Sequence, residues 1–131
     1  MNKKPDNSKL VEAMKQFKAV HTVIFQEEFY KAVVDATFYV PVSLDKGTGS
    51  KKSGKYCALT TKDGKRYLCA FTSPEELEKC YGDRDDIIGV LHNFAAVREV
   101  IVHENSGLDG LVFDAMGENV GIPKEEMIPK E

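Results

Sequence analysis

Long hydrophobic runs are absent from this sequence, and with them the usual marks of a membrane or exported protein. A transmembrane helix needs about 20 consecutive apolar residues, and no stretch of the chain approaches that length. The basic start at Met1 would suit a signal peptide, but Asn7, Ser8 and Glu12 interrupt the segment that follows it. We therefore predict a cytoplasmic protein that makes no contact with a membrane.

A surplus of positive charge is also missing. The chain has 18 Lys and Arg against 21 Asp and Glu, which gives a formal net charge of −3. Proteins that bind nucleic acids need Lys and Arg concentrated on one face to neutralise phosphates. The charge balance therefore excludes nucleic acid from the predicted partners.

Cysteine is scarce, and its spacing fits no disulfide framework. Cys57, Cys69 and Cys80 are an odd number without a CxxC pair, which is typical of reduced thiols in a reducing compartment. A nucleophilic thiolate needs a nearby cation or a helix N-terminus to lower its pKa. Cys80 lies near the wrong end of its predicted helix, so we predict core packing for these side chains.

Patterns that mark a catalytic or ligand site are missing as well. His21, His92 and His103 show neither HxxxH nor HExxH spacing. The glycines around Gly47 do not form a phosphate-binding loop, and the adjacent carboxylates Glu75-Glu76 are explained by a helix N-terminus. We therefore predict no catalytic, cofactor-binding or metal-binding residues, and no cofactor.

What the sequence does contain is the composition of one globular domain. Its 131 residues are 42% hydrophobic and 30% charged, which is enough to build a core without a metal or a disulfide. Residues 1–7 are polar and are predicted to be a flexible N-terminus. Residues 8–131 are predicted to form a single domain.

Two helices are predicted at the start of this domain. The hydroxyl of Ser8 is the predicted N-cap of the first helix, and that of Thr22 caps the second. The apolar residues at helical spacing are Leu10, Val11, Met14 and Phe17 in the first helix, and Phe25, Phe29, Ala32 and Val33 in the second.

A strand is predicted to follow at residues 36–42, which are rich in β-branched and aromatic side chains. Pro41 has no backbone N–H to donate, so the strand is expected at a sheet edge or ending near that residue. The polar loop Asp45–Gly54 comes next, and the sequence leaves open whether it has a function.

A β-hairpin is predicted around Asp63-Gly64, because Asp-Gly between two β-rich runs is typical of a tight turn. A two-residue turn would pair Leu59 with Leu68. A three-residue loop with Gly64 in a bulge would pair Leu59 with Tyr67 and set Cys57 opposite Cys69. Both registers remain open, and both place apolar side chains on each face, so we expect the hairpin inside the sheet.

The most informative local feature is the junction that follows the hairpin. Ser73 is a predicted N-cap, Pro74 occupies the first helical position, and Glu76 stands three residues after the cap, which together form a capping box. We predict that Phe71 enters the core and that Thr72 makes the turn. The structural signature is therefore Phe71, Thr72, Ser73, Pro74 and Glu76.

The next segment has two interpretations. Asp85-Asp86 could cap a helix that runs through Phe94 and Val97, or a short strand at Ile87-Ile88 could come first. A buried strand is predicted at residues 99–103 because Val100-Ile101-Val102 is β-branched throughout.

The last part of the chain is predicted to contain a turn, a strand and a helical turn. These are placed at Asn105–Gly107, at residues 110–113 and at residues 123–127. Whether the turn at Asn105–Gly107 is functional stays open. The elements together predict an α+β fold with a mixed β-sheet of about four to six strands, a central hairpin, an N-terminal helical pair and further short helices.

Two segments of the chain resemble a known family. Residues 38–42, Phe-Tyr-Val-Pro-Val, and residues 67–77, which contain the Phe71-Thr72-Ser73 junction, resemble the N-terminal domain of the SseB family. The resemblance spans roughly residues 8 to 128 and implies a mixed-sheet α+β fold in a bacterial cytoplasmic protein. At Ile101–Ser106 the chain departs from the family pattern, because Ser106 replaces the usual proline.

The function predicted from these observations is a non-enzymatic binding or regulatory module. It has no catalytic residue set, and the family resemblance implies none. Its partner would be a protein or a small molecule. The alternative hypothesis is a small-molecule-binding domain or a small thiol-dependent enzyme that uses Cys69 or Cys57 near the junction.

Overall fold

The computed structural model describes residues 6–44, 54–82, 86–103 and 106–127. A helical pair is followed by four strands and then by a mixture of helices and strands, and the α+β class is confirmed. In chain order the elements are α1 (Ser8–Ala19), α2 (Val23–Asp35), β1 (Thr37–Leu44), β2 (Gly54–Tyr56), β3 (Ala58–Thr60), β4 (Arg66–Ala70), α3 (Pro74–Tyr81), β5 (Ile87–Asn93), α4 (Phe94–Val102), β6 (Gly110–Phe113), β7 (Val120–Pro123) and a 3-10 turn (Lys124–Glu126).

The N-terminal helical pair is confirmed, with one change at its start. Thr22 caps α2, since its Oγ1 accepts a hydrogen bond from Phe25 N–H at 3.2 Å. Ser8 is not the cap of α1 but its first residue, and Asn7 occupies the cap position without a side-chain cap bond. The reason is tertiary, because the Asn7 side chain makes hydrogen bonds outside its own helix.

Strand β1 lies at the centre of a three-stranded sheet with the order β2-β1-β5. The expectation that Pro41 places this strand at an edge is therefore wrong. The backbone of Tyr39 and of Pro41 faces away from β5: Tyr39 exchanges hydrogen bonds with Phe71, and Pro41 O accepts from Cys57 N–H at 3.0 Å. Cys57 lies where the chain leaves β2 for β3, so the missing N–H of Pro41 falls at a gap in the ladder.

The hairpin between β3 and β4 adopts the second of the two predicted registers. Leu59 pairs with Tyr67, and Gly64 takes a φ of +85° in a three-residue loop. Cys69 N–H donates to Cys57 O at 3.2 Å, which sets the two cysteines opposite each other. Glycine suits the loop because a positive φ is costly for other residues.

The second sheet has four strands in the order β3-β4-β6-β7. Strand β4 runs parallel to β6, and the other neighbours are antiparallel. Its residues Leu68, Cys69 and Ala70 are buried on both faces, so this arm of the hairpin lies inside the sheet as predicted, whereas the prediction is wrong for β3, which is the edge strand. The two sheets meet at an isolated bridge between Tyr39 and Phe71.

The segment after the junction differs most from expectation. A strand comes first, and the short strand considered at Ile87-Ile88 extends to Asn93. The strand predicted at residues 99–103 is wrong, because residues 99–102 belong to α4. The Asn93 side chain caps this helix by accepting from Ala96 N–H at 2.9 Å, and Val97 and Ile101 are fully buried one helical turn apart. Burial against α2 outweighs the β propensity of the Val-Ile-Val run.

The end of the chain contains one strand more than predicted. Strand β6 and the turn at Lys124–Glu126 match expectation, whereas β7 was not predicted. β7 is only four residues long, and its alternating burial is too short a pattern to separate from a loop. It pairs with β6 and completes the second sheet.

The main core lies between the two sheets and the helices α1, α2 and α4. The rings of Phe29, Phe38 and Phe113 are fully buried at its centre, with Phe113 edge-on to both of the others. A smaller cluster around Phe71 lies under α3. Within the described ranges, no helix has the length and apolar character needed to cross a membrane.

Candidate functional site

The junction signature lies where β4 meets α3. Phe71 is fully buried, and its ring is edge-on to Tyr81 of α3 with centroids 6.1 Å apart. Ser73 Oγ accepts from Glu76 N–H at 3.2 Å, and Pro74 is the first residue of the helix. The junction thus joins a core anchor to a capped helix start.

Thr72 is held by a residue that sequence reasoning missed. Asp114, directly after β6, is 2% exposed and accepts two hydrogen bonds from Thr72, from its N–H at 2.9 Å and from its Oγ1 at 2.7 Å. Burial raises the pKa of Asp114, and the hydrogen bonds from Thr72 oppose that rise. Asp114 also takes a positive φ of 49°, which few residues other than Gly, Asn and Asp tolerate.

Asn7, at the start of α1, also contacts the junction. Its side chain is 7% exposed, and Nδ2 donates to Thr37 O and to Thr72 O, both at 2.9 Å. The sequence analysis placed Asn7 in the flexible N-terminus, residues 1–7, of which residues 1–5 lie outside the described residues. Asn7 therefore connects the start of α1 to β1 and to the junction.

Glu76 makes only half of the predicted capping box. Its N–H is capped by Ser73, but its carboxylate turns away: Oε2 accepts from Lys79 Nζ at 2.5 Å, and Oε1 is buried and finds no hydrogen-bond partner in the part of the chain that the structure describes. Gly117 lies against this carboxylate so closely that a Cβ there would overlap Oε1. Glu76 is thus turned toward the Asp114–Glu118 turn.

These residues surround a cleft of about 380 Å³, which we call the junction cleft. Its walls come from the start of α1, the start of α3 and the turn after β6. The residues lining it are Asp6, Asn7, Ser8, Val11, Lys15, Thr72, Ser73, Glu76, Lys79, Asp114, Gly117 and Glu118. Four carboxylates and two lysines make the cleft polar and acidic.

Replacing Ser73 by alanine tests whether the signature serine stabilises the fold. We expect Ser73→Ala to lower the free energy of unfolding by about 0.5–2 kcal/mol, because the N–H of Glu76 loses its cap. Urea denaturation followed by circular dichroism measures the loss. An unchanged midpoint for Ser73→Ala would contradict the capping role.

The cysteines lie beside the junction but not in the cleft. Cys69 is 3% exposed, and burial raises the pKa of its thiol to about 11. Burial likewise raises the pKa of Cys80, which is half-buried on α3. Burial is also the main cause that raises the pKa of Tyr81, a hydrogen-bond partner of Cys69. Both thiols are therefore protonated at neutral pH and are poor nucleophiles.

The histidines are spread over the molecule. His21 is exposed, with its ring 5.0 Å from that of Phe17. His103 is exposed at the end of α4, and His92 near the end of β5 lies with its Nε2 3.0 Å from the Tyr56 hydroxyl. Among the described residues no group of three or more His, Cys, Asp or Glu side chains could hold a metal ion.

The sequence left open whether two segments, the Asp45–Gly54 loop and the Asn105–Gly107 turn, have a function. The loop Asp45–Gly54 lies outside the described residues except for Gly54, which begins β2. In the turn at Asn105–Gly107, residue 105 is also outside them. Ser106 Oγ donates to Ile101 O at 2.8 Å and accepts from Leu108 N–H at 3.1 Å. Ser106 therefore stabilises the turn after α4 by a side-chain bond that proline could not make.

Comparison with known proteins identifies the family of the chain. No curated protein and no solved structure matches it. The family model for the SseB protein N-terminal domain matches residues 10–127, a range that contains the junction and all of the cleft except its first three residues. Because this match covers nearly the whole chain, the protein belongs to the SseB N-terminal domain family.

Proposed function

We propose that this chain is a non-enzymatic binding or regulatory module of the bacterial cytoplasm, and that its ligand enters the junction cleft. The observation that carries the proposal is the Glu76 carboxylate, whose Oε1 is buried at the cleft without a hydrogen-bond partner among the described residues. Buried polar atoms in folded proteins are nearly always paired. A ligand that donates an N–H would pair this oxygen.

The charges of the cleft indicate what kind of group the ligand presents. Glu76 is paired with Lys79 and Glu118 with Lys18, which leaves Asp6 and Asp114 against Lys15 among the described charged residues of the cleft. Such a surplus of carboxylates attracts a positively charged group. We propose an ammonium or guanidinium group, carried by a small metabolite or by a basic side chain of a partner protein, rather than a nucleic acid or a membrane.

Binding is favoured over catalysis by the state of the reactive groups near the cleft. Asp114 is occupied by both hydrogen bonds from Thr72, so its carboxylate is not directed at a substrate. The alternative function, a thiol-dependent enzyme, is disfavoured for Cys69 because burial raises the pKa of its thiol to about 11. A thiolate nucleophile needs the opposite shift.

The proposal is tested by thermal unfolding in the presence of small cations. Cadaverine, spermidine and arginine amide serve as probes, and N,N′-diacetylcadaverine, in which both amines are amides, serves as the neutral control. A ligand of the folded state at about 100 times its Kd adds roughly 2.7 kcal/mol of stability by mass action. We expect the cations to raise the Tm of the protein and the acetylated compound to leave it unchanged.

Two variants locate the binding. Glu76→Gln removes the charge in the cleft, whereas Glu78→Gln removes an equal charge from the exposed face of the same helix. We expect the Tm increase to disappear in Glu76→Gln and to persist in Glu78→Gln. Equal responses in both variants, or no response of the wild type to any cation, would refute the proposed ligand class.

A further inference from the structure

A second cavity lies on the side of the molecule where the two sheets separate. It has a volume of about 640 Å³ and shares no residue with the junction cleft. Its walls are the hairpin arms β3 and β4, the ends of β2 and β5, and the helix α4 with the turn that follows it. We call it the seam cavity. Small-molecule sites in proteins typically have volumes of about 300–1,000 Å³.

The floor of the seam cavity is apolar. Leu68 and Leu108 are core residues, with 0% and 8% exposure, that also face this space. Ala58, Ala96 and Val100 are half-buried around them. The small alanine side chains on β3 and α4 leave the room that a larger residue would fill. An apolar body of a ligand would displace water from this floor.

Arg66 provides the charge at the rim. Its backbone is held on both sides by Asp109, since Arg66 N–H donates to Asp109 Oδ2 at 2.9 Å and Asp109 N–H donates to Arg66 O at 2.6 Å. The guanidinium lies over the turn, with Nη1 3.6 Å from the position of a Cβ on Gly107. No hydrogen bond or ion pair to the guanidinium is formed within the described ranges. An arginine with free donors matches the two oxygens of a carboxylate.

Tyr56 and His92 form the opposite rim. The Tyr56 hydroxyl lies 3.0 Å from His92 Nε2, with the rings edge-on. His92 Nδ1 lies 3.4 Å from Val90 O, and a carbonyl oxygen can only accept. In that tautomer Nδ1 carries the proton and Nε2 accepts from the tyrosine hydroxyl. The pair orients two polar rings at the mouth of an apolar space.

Glu99 limits the charge of any ligand. It is the one carboxylate among the described residues that line the seam cavity, and it lies on α4. A single negative charge on a ligand can be matched by Arg66. A second one would meet repulsion from Glu99, and the described lining offers no lysine or further arginine to offset it.

We propose that the seam cavity binds a small monocarboxylate with an apolar body, with the carboxylate on Arg66 and the apolar part over Leu68 and Leu108. The edges of Tyr56 and His92 contact the apolar part. This site does not depend on the junction cleft, so either proposal can fail without the other.

The test is a titration of the full chain with 3-phenylpropionate, followed by NMR of the histidine ring protons. The protein has three histidines, and His21 lies outside the cavity, so its ring is an internal reference. We expect saturable shifts of the His92 resonances and none at His21. The neutral amide 3-phenylpropionamide and inorganic phosphate are expected to bind at least about tenfold more weakly, because each lacks one of the two matched features.

Matched variants separate this site from general charge and packing effects. We expect Arg66→Gln to weaken binding of 3-phenylpropionate about tenfold or more, and Lys65→Gln, which removes a charge outside the cavity, to leave it unchanged. Ala96→Leu should fill the cavity and abolish binding, whereas Ala95→Leu on the exposed face of α4 should not.

Three outcomes would overturn the proposal. The first is the absence of a saturable shift at His92 with millimolar 3-phenylpropionate. The second is equal affinity for the acid, the amide or phosphate. The third is unchanged affinity in both Arg66→Gln and Ala96→Leu, since Ala96→Leu tests the apolar floor independently of the charge.

Discussion

Replacing Asp114 by alanine is expected to lower the free energy of unfolding by roughly 2–5 kcal/mol, because two buried donors of Thr72 lose their acceptor at about 1–3 kcal/mol each. Thr72 is 5% exposed, so water cannot readily replace the carboxylate. The positive φ at residue 114 adds to the loss, since alanine tolerates it poorly. Urea denaturation followed by far-ultraviolet circular dichroism measures the effect.

Two control variants separate the causes. Asp114→Gly accommodates the positive φ but also lacks the acceptor, so most of the loss should remain. Asp114→Asn keeps an acceptor oxygen and suits the backbone conformation, so we expect a change within about 1 kcal/mol. A loss below about 1 kcal/mol in Asp114→Ala would contradict the role assigned to the Thr72–Asp114 pair.

The raised pKa of Asp114 also predicts how the stability of the protein depends on pH. The pKa of Asp114 is raised in the folded protein above the unfolded value near 3.8, so the folded state keeps its proton to higher pH than the unfolded chain does. The stabilisation by this group is therefore complete below the unfolded pKa and is lost as pH rises through the folded pKa. Relative to Asp114→Asn, the wild type should become less stable as pH rises through that window.

Replacing Phe113 by alanine is expected to cost about 3–5 kcal/mol, the usual range for removing a buried aromatic ring. Phe113 is fully buried, and its ring lies edge-on to Phe38 at 5.0 Å and to Phe29 at 6.2 Å. From the second sheet it contacts both β1, through Phe38, and α2, through Phe29. Its removal therefore affects the packing of three elements at once.

Chemical denaturation measures this loss as well. Phe113→Leu retains much of the buried volume and should cost clearly less than Phe113→Ala. Met116→Ala changes a side chain that is 66% exposed three residues away, and should stay within about 0.5 kcal/mol of the wild type. If Phe113→Ala resembled Met116→Ala, the described core would be wrong.

Much of the local structure could be predicted because its causes are local. The Thr22 cap, the Asp63-Gly64 turn and the Ser73-Pro74 helix start depend on residues within a few positions of each other. The α+β class and the helical pair followed from such features. The failure at residues 99–103 shows the limit, because the β-branched residues around Ile101 form a helix whose inner face is buried against α2.

The arrangement of the candidate site could not be predicted for the same reason. Nothing near Asp114 in the sequence indicates that it will meet Thr72, 42 residues away. Asn7 likewise contacts Thr72 across 65 residues. The prediction for Pro41 was wrong because the cost of its missing N–H depends on which neighbouring strand its backbone faces. The sequence does not show that neighbour. The sequence therefore indicated where the junction is, but not the cleft around it.

The parallel pairing of β4 with β6 has a consequence for how the molecule folds. Between these neighbours the chain must complete α3, β5 and α4, so the loop that closes is long and its entropy is lost before the contacts form. The cap of α3 can form early from adjacent residues, whereas the Thr72–Asp114 bonds require that closure. We therefore expect the residues of the junction to assemble in two steps, with the junction cleft complete only after the second.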